Sequence, residues 1–190
     1  LLALVGQWIA PIFAPLGFTA EVMQVKVTNK SNHARKITVT PAIPLYGRSA
    51  DNLRDHRHVT SLLHRIETME NGICCKPVLS FDERGHQRND MIYYVLGSDE
   101  NGDKPEGFFP TVESFIGESG SFIAPEAVAY KKKGCKAGTS FDGKEAVGAF
   151  AFPEVTLESG AQKEYIAVSG MAESRNEVTR TAEAFHTKAQ

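Results

Sequence analysis

Residues 59–81 have the sequence VTSLLHRIETMENGICCKPVLSF, in which two strand-like runs flank the pair Asn71-Gly72. The runs are Val59–Met69 and Ile73–Phe81. Because both residues tolerate positive φ, Asn-Gly between two apolar runs is a strong signal for a tight turn. The stretch therefore predicts two neighbouring antiparallel strands joined across Glu70-Asn71-Gly72.

A second pair of strands is predicted N-terminal to this one. Residues 23–28 alternate between apolar and polar side chains, and the alternation returns at 35–40. This period of two is typical of half-buried strands. Between them, Asn29–His33 has the composition of a turn. We expect the two runs to form a hairpin.

Further short strands follow at intervals along the chain. They are predicted at Met91–Leu96, Ala146–Phe152 and Glu164–Ser169, the last two linked around Ser159-Gly160. Asp82–Asn89 is predicted to be a polar loop, and Gly97–Gly120 a long connection with one helical turn near Thr111–Phe115. Ala124–Lys133 is predicted to be helical, with Pro125 in its first turn, where a missing N–H costs least. Many short strands, few helices and Gly- and Pro-rich connections indicate a mainly β fold, an antiparallel β-sandwich.

The C-terminal tail has a different pattern. Ser174-Arg-Asn-Glu177 matches a capping box, the signature of a helix start. Val178, Ala182 and Phe185 then recur at helical spacing. A single apolar stripe on a polar helix needs a partner surface, either the sandwich itself or a following domain.

Composition excludes some classes of protein. The 190 residues carry 21 basic and 23 acidic side chains, a net charge of −2, so no basic excess is present to neutralise nucleic-acid phosphates. The apolar start, Leu1–Phe13, is interrupted by Gln7 and Pro11, and a membrane span takes about 20 residues. It has neither an initiating Met nor a basic leading region, which argues against a signal peptide. We interpret the chain as a piece of a longer protein.

The cysteines and histidines give no clear metal site. Three cysteines, two of them adjacent (Cys74 and Cys75), form no disulfide framework and indicate a reducing compartment. His56 and His58 could face one side of an extended chain, with His64 or Asp55 nearby. No carboxylate at a fixed spacing completes a known ligand set. The sequence therefore predicts no metal and no cofactor.

The densest polar cluster lies in residues 46–58, where three arginines, two aspartates and two histidines occur together. Arginine forks suit phosphate, carboxylate and vicinal sugar hydroxyls. A solvated loop or a salt-bridged corner is the more common role for such a segment. The cluster supplies the candidate site residues Arg48, Asp51, Arg54, Asp55, Arg57 and His58.

Catalytic signatures are otherwise absent from the sequence. Glycosidases need two carboxylates, and the loop candidates Asp82, Glu83, Glu113 and Glu118 show no spacing that selects a pair. There is no nucleophile elbow, P-loop or dinucleotide fingerprint.

Aromatic residues cluster in the second half of the chain and near its middle. They are Phe108, Phe109, Phe115, Phe122, Tyr93 and Tyr94. Exposed rings can stack on sugar faces. Packing of the long connection onto the sheet is the favoured interpretation, since Phe lacks a polar handle.

Four runs of the sequence resemble one known family. They are TPAIPLYGRSADNLRDHRHVTSLLHR (40–65), LSFDERGH (79–86), GFFPTVESFIG (107–117) and FPEVTLESG (152–160). They are similar to the N-terminal sandwich of the cellobiose/cellodextrin phosphorylase family, which includes β-1,2-oligoglucan phosphorylases. The resemblance extends from about Phe18 to Ser169, and is greater to the longer members of the family than to cellobiose phosphorylase itself.

The resemblance implies a supersandwich of the galactose-mutarotase type over 1–172, and the start of a helical linker over 173–190. Family members cleave β-linked gluco-oligosaccharides with inorganic phosphate and invert the anomeric centre, using an aspartate in an α/α barrel that follows the sandwich. The resemblance thus implies a non-catalytic domain that supports this barrel, in a cytoplasmic homodimer, with no nucleic-acid or membrane partner. The six candidate residues would lie at an active-site rim or an interface. The alternative is an autonomous carbohydrate-binding module, which needs an exposed Trp or Tyr platform; the single tryptophan, Trp8, lies in the apolar start.

Overall fold

The computed structural model describes residues 6–9, 11–47, 60–82 and 85–186. Its strands, in chain order, are β1 (Gly6–Ile9), β2 (Ile12–Phe13), β3 (Ala20–Asn29), β4 (Arg35–Ile37), β5 (Ala42–Leu45), β6 (His64–Met69), β7 (Gly72–Pro77), β8 (Leu79–Asp82), β9 (Gly85–Arg88), β10 (Ile92–Asp99), β11 (Gly107–Thr111), β12 (Ser140–Asp142), β13 (Ala146–Ala151), β14 (Val155–Leu157) and β15 (Gln162–Ala172). Its helices are α1 (Val112–Ile116), α2 (Glu126–Ala129) and α3 (Arg175–Ala184). No helix in these parts of the chain is both long enough and apolar enough to cross a membrane.

A large sheet forms the centre of the fold. Its eight strands run in the order β1-β3-β15-β10-β7-β6-β12, with β2 also pairing with β3. The long strands β3 and β15 pair antiparallel from Ala20 opposite Gly170 to Thr28 opposite Gln162. Strand β10 then joins β15 to the β6–β7 hairpin.

A smaller three-stranded sheet, in the order β11-β13-β5, lies against β7 and β10 of the large sheet. Two further antiparallel pairs, β4 with β14 and β8 with β9, stand outside both sheets. Every strand pair in the described residues is antiparallel. The prediction of a mainly β, antiparallel sandwich with a C-terminal helix is confirmed.

The main core fills the space between the two sheets. Ile73 and Val95 from the large sheet and Phe150 from the small sheet are fully buried there. Phe150 meets Phe152 edge to face, with ring centroids 5.8 Å apart. Each side chain of this kind contributes about 1.5–3 kcal/mol when it is removed from water, so this interface is a major contribution to the stability of the fold.

Helices cover the outer face of each sheet. Helix α3 lies on the large sheet, where Val178 is fully buried among residues that include Val22, Tyr94 and Ile166. Helices α1 and α2 lie on the small sheet and bury Phe115 and Ala127 against it. The result is four layers, with the large sheet covered on both faces over part of its width.

The predicted hairpin between residues 23–28 and 35–40 is wrong. Strand β3 pairs with β1, β2 and β15, whereas β4 pairs with β14. The amide of Asn29 diverts the chain, because it donates to the carbonyl oxygens of Leu157 (2.8 Å) and His33 (2.9 Å). Its Oδ1 accepts from the backbone N–H of Ser31 at 3.0 Å. These bonds fasten the turn to the distant β14–β15 connection instead of to a hairpin partner.

The hairpin β6–β7 is confirmed, but its turn is made differently. Met69 pairs with Gly72, so the loop consists of Glu70 and Asn71. Neither these two residues nor Gly72 has a positive φ. Gly72 is required for another reason. A Cβ on it would lie 2.1 Å from the carbonyl oxygen of Val95. The glycine allows strand β10 to approach closely.

Three strands occur where connections were expected. The predicted polar loop Asp82–Asn89 is wrong, since the β8–β9 hairpin occupies most of it. The predicted connection Gly97–Gly120 contains the buried strand β11, although its helical turn is confirmed as α1. Strand β14 lies in the region predicted as the link before β15. The predicted strands Met91–Leu96, Ala146–Phe152 and Glu164–Ser169 are confirmed as parts of β10, β13 and β15.

The helix boundaries follow local chemistry. Helix α2 is shorter than the predicted Ala124–Lys133, and Pro125 is its N-cap residue. Lys131 has φ of 48°, which ends helical geometry. In α3, the side chain of Ser174 accepts from the N–H of Glu177 as a capping box requires, but the Glu177 carboxylate accepts from the N–H of Glu173, one residue earlier than expected.

Candidate functional site

The polar cluster predicted as a rim or interface falls within residues 48–59, outside the described residues. This applies to all six candidates: Arg48, Asp51, Arg54, Asp55, Arg57 and His58. The structure describes both ends of the segment. Tyr46 and Gly47 follow strand β5, and Thr60 and Ser61 precede strand β6.

The two ends lie at one corner of the sandwich. Tyr46, Gly47, Thr60 and Ser61 together line a cavity of about 20 Å³, which His64 and Glu145 also line. The corner lies where β5, β6 and the start of β13 meet. The described residues on either side of the cluster therefore lie close together, at one corner of the sandwich.

His64 is the titratable group at the centre of this corner. It is 5% exposed, and its Nδ1 lies 3.2 Å from the carbonyl oxygen of Lys144. Burial lowers the pKa of His64 below its usual value, against the opposing effects of the Lys144 carbonyl and of the charge on Glu145. The ring is thus held neutral at physiological pH, which suits a hydrogen-bond acceptor rather than a cationic role.

A larger groove lies between α3 and the outer face of the large sheet. Its volume is about 430 Å³. Leu96, Ile166 and Phe185 contribute to an apolar lining, and the ion pair of Glu70 with Lys104 stands on the rim. The hydrogen bond from Lys104 lowers the pKa of Glu70, so that its carboxyl is a poor proton donor near neutral pH. The lining of the groove is mainly apolar, and it also includes the titratable residues Glu183 and His186.

The side chains of two of the four loop carboxylates considered from the sequence are described by the structure, and both lie on the surface. Glu113 is exposed and lies 2.9 Å from the Nζ of Lys144, and Glu118 is exposed. The surface-charge interpretation is confirmed for these two. The side chains of Asp82 and Glu83 lie outside the described residues.

The pKa shifts of the other carboxyls run in one direction. Where a shift is resolved among the described residues, the pKa is lowered: in Glu70, Asp90, Asp99 and Glu126. A general acid for glycoside cleavage needs a raised pKa, so that it still carries its proton near neutrality. These four groups are therefore anions in ion pairs and do not act as acids.

Asp99 forms a buried ion pair that the sequence did not reveal. Its Oδ2 lies 2.5 Å from the Nζ of Lys163, and its Oδ1 accepts from the N–H groups of Asn101 and Asp103, each at 2.9 Å. Burial alone raises the pKa of Asp99, and the bonds from Lys163, Asp103 and Asn101 outweigh it and lower the pKa. The Asp-x-Asn-Gly pattern predicts such a turn but not its lysine partner on β15. The pair fastens the turn to the sheet.

The aromatic cluster is mostly core. Phe108, Phe109, Phe115 and Tyr94 are between 1% and 3% exposed, which confirms the packing interpretation. Phe122 is 46% exposed and lies with its ring centroid 6.1 Å from that of Phe115.

The cysteines are structural. Burial raises the pKa of Cys74 to about 11 and that of Cys75 to about 12, which leaves both as unreactive thiols at neutral pH. Cys135 is also free, and its pKa is raised by burial. Within the described ranges, no group of three His, Cys, Asp or Glu side chains is placed to hold a metal ion. His56 lies outside those ranges.

Comparison with known proteins agrees with this geometry. The model of the family described as "Glycosyl hydrolase 94, supersandwich domain" matches residues 9–188. No curated protein gives a significant match. The family match covers nearly all of the chain, including both sheets and helix α3. A layered antiparallel sandwich with a C-terminal helix is consistent with such a domain. The chain belongs to the glycosyl hydrolase 94 supersandwich-domain family.

Proposed function

We propose that this chain is the non-catalytic sandwich domain of an inverting β-glucan phosphorylase. Such an enzyme splits β-linked gluco-oligosaccharides with inorganic phosphate and releases glucose 1-phosphate. The observation that carries the proposal is the family match over residues 9–188. The resemblance of the four sequence runs to cellobiose/cellodextrin phosphorylases supplies the reaction.

The proposed chemistry needs one carboxylic acid that protonates the leaving oxygen while phosphate attacks from the opposite face. The described carboxyls with resolved shifts have lowered pKa values and are held in ion pairs or by backbone N–H groups. None of them suits that role. This supports a catalytic acid outside the sandwich, on the α/α barrel that follows it in the family.

The fold suits a supporting role. Helix α3 follows the last strand of the sandwich and packs on the large sheet, as we expect of an element that leads toward a barrel. We interpret residues 173–190 as the beginning of that linker. The residues that flank the arginine-rich segment lie at the His64 corner. We propose that the segment contacts a barrel rim or a second subunit of a homodimer.

The state of the cysteines bears on the cellular compartment of the proposed enzyme. All three cysteines are free, and Cys74 and Cys75 are buried. Unpaired thiols are typical of reducing compartments. We therefore place the enzyme in the cytoplasm.

Isothermal titration of the chain with cello-, laminari- and β-1,2-gluco-oligosaccharides, each with and without phosphate, tests the proposal. We expect no heat of binding, because a supporting domain contributes its contacts only together with the barrel. Micromolar-to-millimolar binding to one linkage would instead indicate an autonomous carbohydrate-binding module. In that case Arg48→Ala and Arg54→Ala would show whether the arginine-rich segment binds the sugar, with Arg88→Ala on strand β9 as the control.

A further inference from the structure

The second ring nitrogen of His64 is a buried group without a partner. Nδ1 lies 3.2 Å from the carbonyl oxygen of Lys144, and since a carbonyl only accepts, Nδ1 carries the hydrogen. In a neutral ring, Nε2 is then a lone-pair acceptor. It is fully buried and has no hydrogen-bond partner among the described residues. Such acceptors in native proteins are satisfied by a protein donor or by ordered water.

The cavity beside His64 has the size and lining for a single small donor. Its volume is about 20 Å³, and a water molecule needs about 10–15 Å³ on this measure. Four residues with polar side chains are among those that line the cavity: Tyr46, Thr60, Ser61 and Glu145. Each of them already takes part in an interaction, but hydroxyl and carboxylate oxygens keep further lone pairs after one bond. A water there would have the two to four polar neighbours that buried water requires.

Gly47 explains why this space exists. A Cβ on Gly47 would lie 3.2 Å from His64 Nε2 and 3.2 Å from the ring of Pro77. The residue does not have positive φ, so its backbone does not demand glycine. The absence of a side chain therefore leaves room beside the nitrogen, in a corner that is otherwise closely packed.

We propose that this corner is a binding site for one buried water molecule, which donates a hydrogen bond to His64 Nε2. The water also bonds to polar side chains that follow β5 and that precede β6 and β13. It ties together three pieces of chain that are distant in sequence: 46–47, 60–64 and 144–145. The arginine-rich segment thereby starts and ends on a rigid base.

A crystal structure of the chain, at a resolution that places ordered water, tests this directly. We expect a water oxygen about 2.7–3.2 Å from His64 Nε2. A protein side chain donating to Nε2, or no density within hydrogen-bond distance of it, would overturn the proposal. Long-range ¹H–¹⁵N correlation in solution gives an independent result: we expect Nδ1 protonated and Nε2 unprotonated, and a proton on Nε2 at neutral pH would contradict the site.

Gly47→Ala tests the position of the water. The added methyl group occupies the space beside Nε2, so we expect the water density to disappear while the ring stays neutral and the urea midpoint falls. Persistence of the water in Gly47→Ala would show that it does not bind in this cavity. Because the nuclear magnetic resonance result comes from the unsubstituted chain, the proposal stays testable if Gly47→Ala folds poorly.

Discussion

Replacement of Val178 by alanine tests whether α3 is an integral layer of this sandwich. Val178 is the first residue of the apolar stripe of α3 and is 0% exposed, against the outer face of the large sheet. If the stripe packs on the sandwich in the isolated chain, truncation of this side chain leaves a cavity inside a closed core. If the stripe serves only a following domain, truncation costs little.

The magnitude follows from the two carbon atoms that are lost. At about 0.8 kcal/mol for each buried CH₂ group, the transfer contribution is about 1.6 kcal/mol. The residual cavity raises the loss to about 2–3 kcal/mol. Alanine is the better helix former by up to about 0.7 kcal/mol, which offsets part of it. We expect a net fall of about 2 kcal/mol in the free energy of unfolding, combining these terms.

Val128→Ala is the matched control. Val128 is also a helical valine, on α2, but it is 48% exposed. We expect its replacement to change stability by less than about 0.5 kcal/mol. With a urea dependence of about 2 kcal/mol per molar, Val178→Ala should lower the unfolding midpoint by about 1 M. Equal, small shifts in the two variants would refute the packing of α3 on the sandwich.

Three further changes test particular contacts. Tyr165→Phe removes a buried hydroxyl that has no hydrogen-bond partner among the described residues. We expect the urea midpoint to stay unchanged or to rise. A clear fall would reveal an unrecognised hydrogen bond. Gly72→Ala places a methyl group 2.1 Å from the carbonyl oxygen of Val95. We expect it to destabilise the fold by about 1–3 kcal/mol, as overpacking does. An unchanged urea midpoint would show that β10 does not approach Gly72 so closely. The pKa of Asp99 is lowered in the folded state, so its stabilisation is fully present above its unfolded pKa, about 3.9, and is lost as the pH falls from there through the lowered folded pKa. In Asp99→Asn we expect a shallower fall of stability between about pH 5 and pH 2, and acid unfolding curves of identical slope would contradict the role of this group.

Local sequence patterns predicted the elements that local chemistry determines. The β6–β7 hairpin and the start of α3 at Ser174 occur as expected because a tight turn and a helix cap depend on a few adjacent residues. The sequence left open whether the apolar stripe of α3 packs on the sandwich or on a following domain. The structure assigns it to the sandwich, through Val178, Ala182 and Phe185.

Strand partners were harder to predict, because alternation of apolar and polar residues indicates a strand but does not indicate which strand pairs with it. The turn after β3 was predicted to close a hairpin, but Asn29 bonds to the carbonyl oxygen of Leu157, 128 residues away. Strand β11 escaped detection for a different reason. All five of its residues are buried, so it has no polar–apolar alternation, and Pro110 lies within it.

The candidate site was predictable only in part. The arginine-rich segment was identified from composition, and its six candidate residues remain predictions because they lie outside the described ranges. The corner that anchors the segment was not foreseen. The role of His64 depends on the carbonyl of Lys144, 80 residues further along the chain, and no local spacing signals that contact.

The measurement that tests the central claim most directly is the release of glucose 1-phosphate. The chain would be incubated with inorganic phosphate and β-1,2-, β-1,3- or β-1,4-linked gluco-oligosaccharides, with a full-length phosphorylase as the positive control. We predict no release above the enzyme-free background with any linkage, because the described carboxyls with resolved pKa shifts are held as anions. Release that scales with the concentration of the purified chain would contradict a non-catalytic domain and would place a general acid within these 190 residues.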